Sequence, residues 1–317
     1  MKNALVYGAT GQLGSYLTEL LHEKEYVVYE YEGEFGDLER EGSLLRSILQ
    51  HEQPSEIYNF AAKMYAPDSW NNPMEYMKVN GMMVLKMLDT IQQYSPKTKF
   101  FQAGSAEVFE KASVMQSEDT NRLPTNPYGL AKMLAMEAVR IYRERYDMFA
   151  CTGIFFNAES PRRKDGFFAK KAAAEAVRLK RDLEDHKYKP IRFGLLEARR
   201  DWGWAPEYAE VAWKMMQLSD PVDLVIGTGE SHTCREFVLE CLKAAGVPSP
   251  EENFDEYVEY EEPKEYVKDT MRAMPEAAKR RLGWQAQYKF KDVARMLVEA
   301  ELEKWRQSEA GLTVTTK

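Results

Sequence analysis

The chain has 317 residues, 44% hydrophobic and 30% charged, a balance that excludes a disordered protein and suffices for one large domain or two interleaved ones. Its net charge of −8 argues against a nucleic-acid partner, and no apolar run reaches the roughly 18–20 residues that span a bilayer. Cys151, Cys234 and Cys241 lack metal-ligand spacing and the first residues show no signal-peptide pattern, so the expectation is a soluble, cytoplasmic protein with reduced thiols, no metal and no membrane partner.

In chain order, NALVYG at 3–8 is a short apolar run that meets Gly, and SYLTELLHEKE after it has a helix pattern. The run YVVYEY ends in acid, a helix pattern at about 43–51 follows, and EIYNFAA at 56–62 is again strand-like. Residues 73–94 read as a helix in which Met74, Met77, Met82, Met83 and Met87 fill packing space. TKFFQAG, a helix over 127–146 and the strand FACTGIFFN at 149–157 complete the pattern. This alternation predicts parallel βαβ units, and hence an α/β fold with a doubly wound parallel sheet of Rossmann type. The sheet is expected over residues 1–158 with part of 190–225, and a smaller C-terminal substrate-binding domain mainly over 159–317. In that second part KKAAAEAVRLKR, with Ala and Glu interleaved at helical spacing, reads as a solvated helix face.

Three stretches carry chemistry. In VYGATGQLGSYL, Gly8, Gly11 and Gly14 stand between a strand and a helix, where glycine lets backbone approach a pyrophosphate at a helix N-terminus. Thr10, Gln12 and Leu13 in that turn, and Ala61 and Ala62 after the third strand, join them as expected cofactor contacts. At the end of the second strand, YEYEGEFGDLER holds Glu30, Glu32 and Glu34 with no base before Arg40. An acid there bonds a ribose hydroxyl and repels a 2′-phosphate, which favours NAD over NADP. Glu30 or Glu32 is the ribose ligand, and Asp37 with Leu38 is expected beside the adenine. The second stretch, FQAGSAEVFE, puts Ser105 and Glu107 at a strand end; the third, TNPYGLAK, puts Tyr128 and Lys132 four apart on one helical face. A Lys cation beside a phenol is expected to lower the phenol's pKa towards neutrality.

With these residues in place the chain resembles the extended short-chain dehydrogenase/reductases, and within them the GDP-mannose 4,6-dehydratase family. The likeness is carried by GATGQLGSYL, GDL, PSEIYNFAA, the Ser-x-Glu strand end, NPYGLAK, FNAESPRR, ARRDWG, TGESHTCREFV and RRLGW, which span nearly the whole chain in order. It implies an intramolecular redox cycle on a nucleotide sugar with bound NADP or NAD. Tyr128 takes the 4-hydroxyl proton while hydride leaves C4, Glu107 removes the C5 proton, Ser105 and Glu107 protonate the departing 6-hydroxyl, and hydride returns to C6. Lys132 holds the cofactor ribose and tunes Tyr128. The likeness further implies substrate contacts from Asn157, Glu159, Arg163, Arg200 and Arg235, and a homodimer or homotetramer. Two departures stand out. The Arg-containing insertion that the family carries after the second strand is missing, and Glu262 occupies the place of an Arg that clamps the diphosphate, with Lys264 and Arg272 as nearby cations. A related epimerase or reductase acting on another substrate, and a cofactor-binding protein without catalysis, are the competing readings.

Overall fold

The computed structural model describes residues 2–33, 37–110, 115–194, 196–261 and 270–309. Strands β1 (Asn3–Tyr7), β2 (Val27–Tyr31), β3 (Glu56–Asn59), β4 (Lys99–Ala103) and β5 (Ala150–Phe155) alternate with helices α1 (Gln12–Glu23), α2 (Leu38–His51), α3 (Pro73–Tyr76), α4 (Met83–Tyr94) and α5 (Pro127–Tyr146). The chain continues through β6 (Asn157–Glu159), α6 (Phe168–Glu184), β7 (Ile191–Arg192), β8 (Arg199–Arg200), β9 (Trp202–Trp204), α7 (Ala205–Met216) and β10 (Leu224–Ile226). It ends with β11 (His232–Thr233), α8 (Cys234–Ala245), α9 (Phe254–Tyr257), β12 (Val258–Glu259), α10 (Glu276–Leu282) and α11 (Phe290–Glu309).

Six strands form one parallel sheet in the order β10-β5-β4-β3-β1-β2. Because β2 and β3 lie on opposite sides of β1, the winding reverses there and leaves a crevice at the carboxyl ends of β1 and β3. Successive strand residues feed opposite faces. Ala4, Val6, Tyr58 and Phe101 pack with α1 and α7, whereas Leu5, Tyr7, Ile57 and Phe100 pack with α2, α4 and α5. A separate core joins α6, α8 and α11 around Trp202 and Phe237. Ala278, Trp284 and Ala286 rejoin the sheet's core before Phe290 and the rest of α11 return to the second one.

Two local readings change. Helix α6 has a solvated face, with Lys171 and Arg181 exposed, but its other face is core: Ala169, Lys170, Ala172, Ala173 and Ala176 are buried, and Lys170 pairs with Glu301 at 2.7 Å. Small side chains at helical spacing let α6 lie close to α8 and α11, which the basic composition conceals. The Met-rich segment is broken by a π-helical turn over Met77–Met82. Met83 and Met87 are core residues, while Met74 and Met82 are exposed. The turn aims the buried Asn80 inward, where its amide accepts from Lys63 N–H and donates to the Lys63 carbonyl, both at 2.9 Å, pinning the loop after β3. No helix among the described residues is long and apolar enough to cross a membrane, and no described group of His, Cys, Asp or Glu could hold a metal.

The parts are tied together at Asp201, which is fully buried. Its carboxylate accepts the backbone N–H groups of Thr228 at 2.8 Å, Gly229 at 2.9 Å and Ala273 at 3.1 Å, and the Thr228 hydroxyl at 2.7 Å. Its own carbonyl accepts from Asn157 N–H at 3.1 Å, so one residue fixes β10's exit, the returning strap and the start of β6. Burial pushes this carboxyl up to about 6 against the pull of those donors, leaving it a charged acceptor at neutral pH. Asp201→Asn turns a donor towards backbone N–H groups and should destabilise the chain by about 2–3 kcal/mol. An unchanged midpoint in denaturant unfolding would refute that role.

Candidate active site

The crevice opens into a cleft of about 630 Å³ along the carboxyl edge of the sheet. Its floor is built from the residues that follow β1, β3, β4 and β5, and its far wall from Phe167, Phe168, Lys171, Phe193 and Gly194. Gly8, Thr10, Gly11, Gln12, Leu13, Gly14, Ala61, Ala62, Ser105, Glu107, Tyr128, Lys132, Asn157 and Arg163, which the sequence scatters over about half its length, all line it.

The glycine turn explains one end. A Cβ on Gly14 would lie 2.0 Å from the Gly8 carbonyl oxygen, so α1 can start this close to β1 only without a side chain there. Gly11 precedes α1 with no side-chain cap, which leaves the first helical N–H groups free for an anion. Gln12 Nε2 donates to the Ala158 carbonyl at 2.8 Å, and its buried Oε1 has no hydrogen-bond partner. This cradle, open and donor-rich, fits a dinucleotide pyrophosphate.

Of the acids after β2, Glu32 reaches the cleft and Glu30 does not. Glu30 is registered opposite Val6, within the sheet, and is exposed. Glu32 lies one residue past the strand end, level with the glycine turn, where its Oε1 accepts Thr10 N–H at 2.6 Å. Asp37 is the N-cap of α2, accepting Glu39 N–H at 3.1 Å and Arg40 N–H at 3.0 Å, and Leu38 packs against the core; neither lines the cleft.

The middle of the cleft carries the Ser-x-Glu turn and the start of the Tyr-x-x-x-Lys helix. Ser105 follows β4 and opens a short 3-10 turn, its hydroxyl accepting Glu107 N–H at 3.2 Å and hydrogen-bonding the Tyr128 phenol. The turn brings Glu107 back over the strand end, and Asn126 Nδ2 donates to Glu107 Oε2 at 2.8 Å. Helix α5 begins at Pro127, with Asn126 as its cap accepting Gly129 N–H at 2.8 Å, so Tyr128 stands on the first turn beside Glu107. A Cβ on Gly129 would meet the Glu107 carbonyl oxygen at 2.3 Å. One turn later the buried Lys132 donates to the Ala103 carbonyl at 2.9 Å, with Nζ 6.0 Å from the Tyr128 ring centroid.

The electrostatics differ from the sequence expectation. Burial, with the Glu107 carboxylate beside it, holds Tyr128 above its ordinary pKa, while Ser105 and Arg163 pull the other way. Burial also draws Lys132 down to about 8. Lys132 is not among the groups that shift the phenol: its ammonium, 6.0 Å from the Tyr128 ring centroid, donates to a strand-end carbonyl.

At the far end Arg163 stacks over Phe167, its guanidinium carbon 3.7 Å from the ring centroid, with Lys164 and Lys171 nearby on the same wall. Glu159 is buried behind it, its Oε2 3.6 Å from Arg163 Nε, and burial raises its carboxyl against the pull of Arg163 and Asn157. It braces Arg163 and does not line the cleft. Arg200 lies on β8 and donates to the Arg199 carbonyl at 2.9 Å; Arg235 covers Phe254 and pairs with Asp255 at 3.3 Å. Arg272 donates to the Gly229 carbonyl at 2.8 Å, and none of these three arginines lines the cleft. Glu262 and Lys264 lie outside the described residues. Met64, Tyr65, Lys171 and Phe193, none of them among the expected site residues, also stand in the cleft wall. Only the loop AAKMYAPDSW offered a signal, since it directly follows a strand at the binding edge.

A family model described as GDP-mannose 4,6 dehydratase matches residues 30–297. The GDP-mannose 4,6 dehydratase of Dictyostelium discoideum is 34% identical over 95% of this chain and 96% of its own length. GDP-mannose 4,6 dehydratase 1 of Arabidopsis thaliana is 34% identical over 95% and 90%. Solved structures share the fold at lower identity. RMD from Pseudomonas aeruginosa, complexed with NADPH, has a TM-score of 0.81 at 18% identity, covering 96% of this chain and 100% of that one. The dTDP-glucose 4,6-dehydratase of Bacillus anthracis, in complex with NAD, has 0.80 at 18%, covering 96% and 98%. A glycine cradle, a Ser-x-Glu strand end and a Tyr-x-x-x-Lys helix converge on one cleft in a chain alike over almost its whole length to these relatives: it belongs to the GDP-mannose 4,6-dehydratase family.

Proposed function

We propose that the protein is a nucleotide-sugar 4,6-dehydratase that acts on GDP-mannose, or a close GDP-hexose, with a bound nicotinamide dinucleotide. The observation that carries this reading is the meeting of Ser105, Glu107, Tyr128 and Lys132 in one cleft, with the glycine cradle at one end and Arg163, Lys164 and Lys171 at the other. A sugar seated between them has its diphosphate on the cationic wall and its C4 to C6 edge over the reactive groups. A nicotinamide dinucleotide held by the glycine turn and Glu32 would supply the redox chemistry, as acceptor of hydride from C4 and its donor to C6.

The residues move the protons. Tyr128 first gives up its own proton, and its phenolate, steadied by the Ser105 hydroxyl, then accepts the proton of the 4-hydroxyl. With a ketone at C4 the C5 hydrogen becomes acidic, and Glu107 removes it. Glu107, now an acid, and Ser105 deliver a proton to the 6-hydroxyl, which leaves as water. Hydride returned to C6 and a solvent-derived proton added at C5, balanced by release to solvent of the proton that Tyr128 took, would give the 4-keto-6-deoxy sugar, with one water lost and no net oxidation. A simple reductase or epimerase has no task for a carboxylate at Glu107, which is why this position favours dehydration.

Glu32 at the cradle favours NAD, because a 2′-phosphate would face an uncompensated carboxylate. The exposed Leu85 of α4 and Leu130 and Ile141 of α5, on adjacent helices, support pairing of two copies through that face.

Incubated with GDP-mannose in heavy water, the wild-type protein should yield a product lighter by one water with deuterium at C5; no turnover across GDP-, UDP- and dTDP-sugars would sink the proposal. Glu107→Gln should lower kcat by about 10²–10⁴ while leaving cofactor binding intact; a fully active variant would remove Glu107 from the chemistry. In thermal-shift titrations NAD should stabilise at least as well as NADP, and a clear NADP preference would overturn the role of Glu32. The mass in solution should be that of a dimer or tetramer, reduced to a monomer by Leu85→Asp with Ile141→Asp; a wild-type monomer would refute the pairing.

A further inference from the structure

We infer that Asn126 is a positioning residue for the elimination step, holding the Glu107 carboxylate in register with the helix that carries Tyr128. The inference rests on the dehydratase reading above.

Its two amide atoms do two different jobs. Oδ1 accepts Gly129 N–H at 2.8 Å and caps α5, while Nδ2 donates to Glu107 Oε2 at 2.8 Å. The amide orientation follows from both contacts at once. Reversed, it would set an oxygen against a carboxylate and an NH2 against an N–H. Capping alone does not call for asparagine, since Ser, Thr and Asp cap as well. Of these, Asp has no donor for a carboxylate, and Ser or Thr has a single oxygen, which at the Oδ1 contact with Gly129 N–H lacks the second arm that Nδ2 extends to Glu107. Asn is the residue that can cap the helix and donate to the base together.

The cap matters because the two reactive groups sit on different elements. Glu107 is on the short turn after β4 and Tyr128 on the first turn of α5. They must act in sequence on neighbouring carbons of one sugar ring. Asn126 joins them through one side chain and does not itself line the cleft, so it acts through Glu107 and not on substrate. A charge-assisted hydrogen bond of this kind fixes the carboxylate's direction at the moment it must reach C5.

The test separates cap from carboxylate. Asn126→Ser keeps the cap and loses the donor to Glu107; Asn126→Asp keeps the cap and sets a second carboxylate against the first. With GDP-mannose in heavy water, Asn126→Ser should lower kcat and the entry of deuterium at C5 about tenfold or more, with KM and thermal stability unchanged. Reduced nicotinamide should still form on mixing with substrate, and should accumulate above the wild-type level because the next step is slow. Asn126→Asp should lose more activity than Asn126→Ser at the same stability. Wild-type kcat in Asn126→Ser overturns the inference. So does a loss in which nicotinamide reduction slows in proportion to deuterium entry, since Asn126 would then serve Tyr128 through the cap and not Glu107. Wild-type protein that fails to dehydrate any nucleotide sugar overturns the dehydratase reading and this inference together, whereas an active wild type matched by Asn126→Ser overturns only the inference.

Discussion

The approach of Gly14 to the Gly8 carbonyl is the contact on which the rest of the molecule depends. It lets α1 leave the sheet immediately after β1, so that Leu17 and Leu21 reach the sheet face and the helix start remains at the crevice. Strand order supplies the crevice and the glycine contact supplies its anion-binding end. The cleft residues that follow a strand are then placed by how far that strand runs before turning, while Tyr128 and Lys132 come from α5. Ser105 and Glu107 follow β4 directly, and Asn157 follows β5. The cleft is the common carboxyl edge, furnished by whatever each strand end carries.

The second core is attached to this edge with polar hardware. Asp201 gathers backbone from three separated segments, and Lys170 donates to the Pro161 carbonyl at 2.9 Å while pairing with Glu301. Between them they hold the segment 157–163, and with it Asn157 and the braced pair Glu159 and Arg163, against the sheet. Buried charge is costly when unpaired, and here each buried charge is answered by fixed donors or an opposite partner. The far wall of the cleft is thereby a packed surface whose cations are aimed by the chain's own structure.

Much of this was legible in the sequence, for a physical reason. The parallel sheet announces itself because its strands are buried on both faces and read as short unbroken apolar runs, as in ACTGIF. The glycine cradle and the Tyr-x-x-x-Lys helix are local, so spacing alone sets their geometry. What stayed hidden depends on contacts between distant segments or on where a strand ends. Glu30 and Glu32 are indistinguishable until the last residue of β2 is known to be Tyr31. Arg200 and Arg235 sit in well-matched stretches, yet tertiary packing turns them to a carbonyl and an aromatic face. Lys171 carries no signal apart from its neighbours until α6 is docked. The expected effect of Lys132 on Tyr128 failed likewise, since the ammonium's partner, the Ala103 carbonyl, comes from a strand far off in sequence.

The missing side chain of Gly129 has a consequence for how this enzyme can fail. Backbone rests on backbone where α5 meets the turn after β4, with no flexible group between them to absorb an error. Any side chain at that seam would act as a wedge, separating acid–base groups that each remain chemically sound. A protein altered there could keep its sheet and both its cores and still have lost the timing between two proton transfers. Such damage would escape any assay of folding, and would show itself only as a sugar oxidised but not dehydrated.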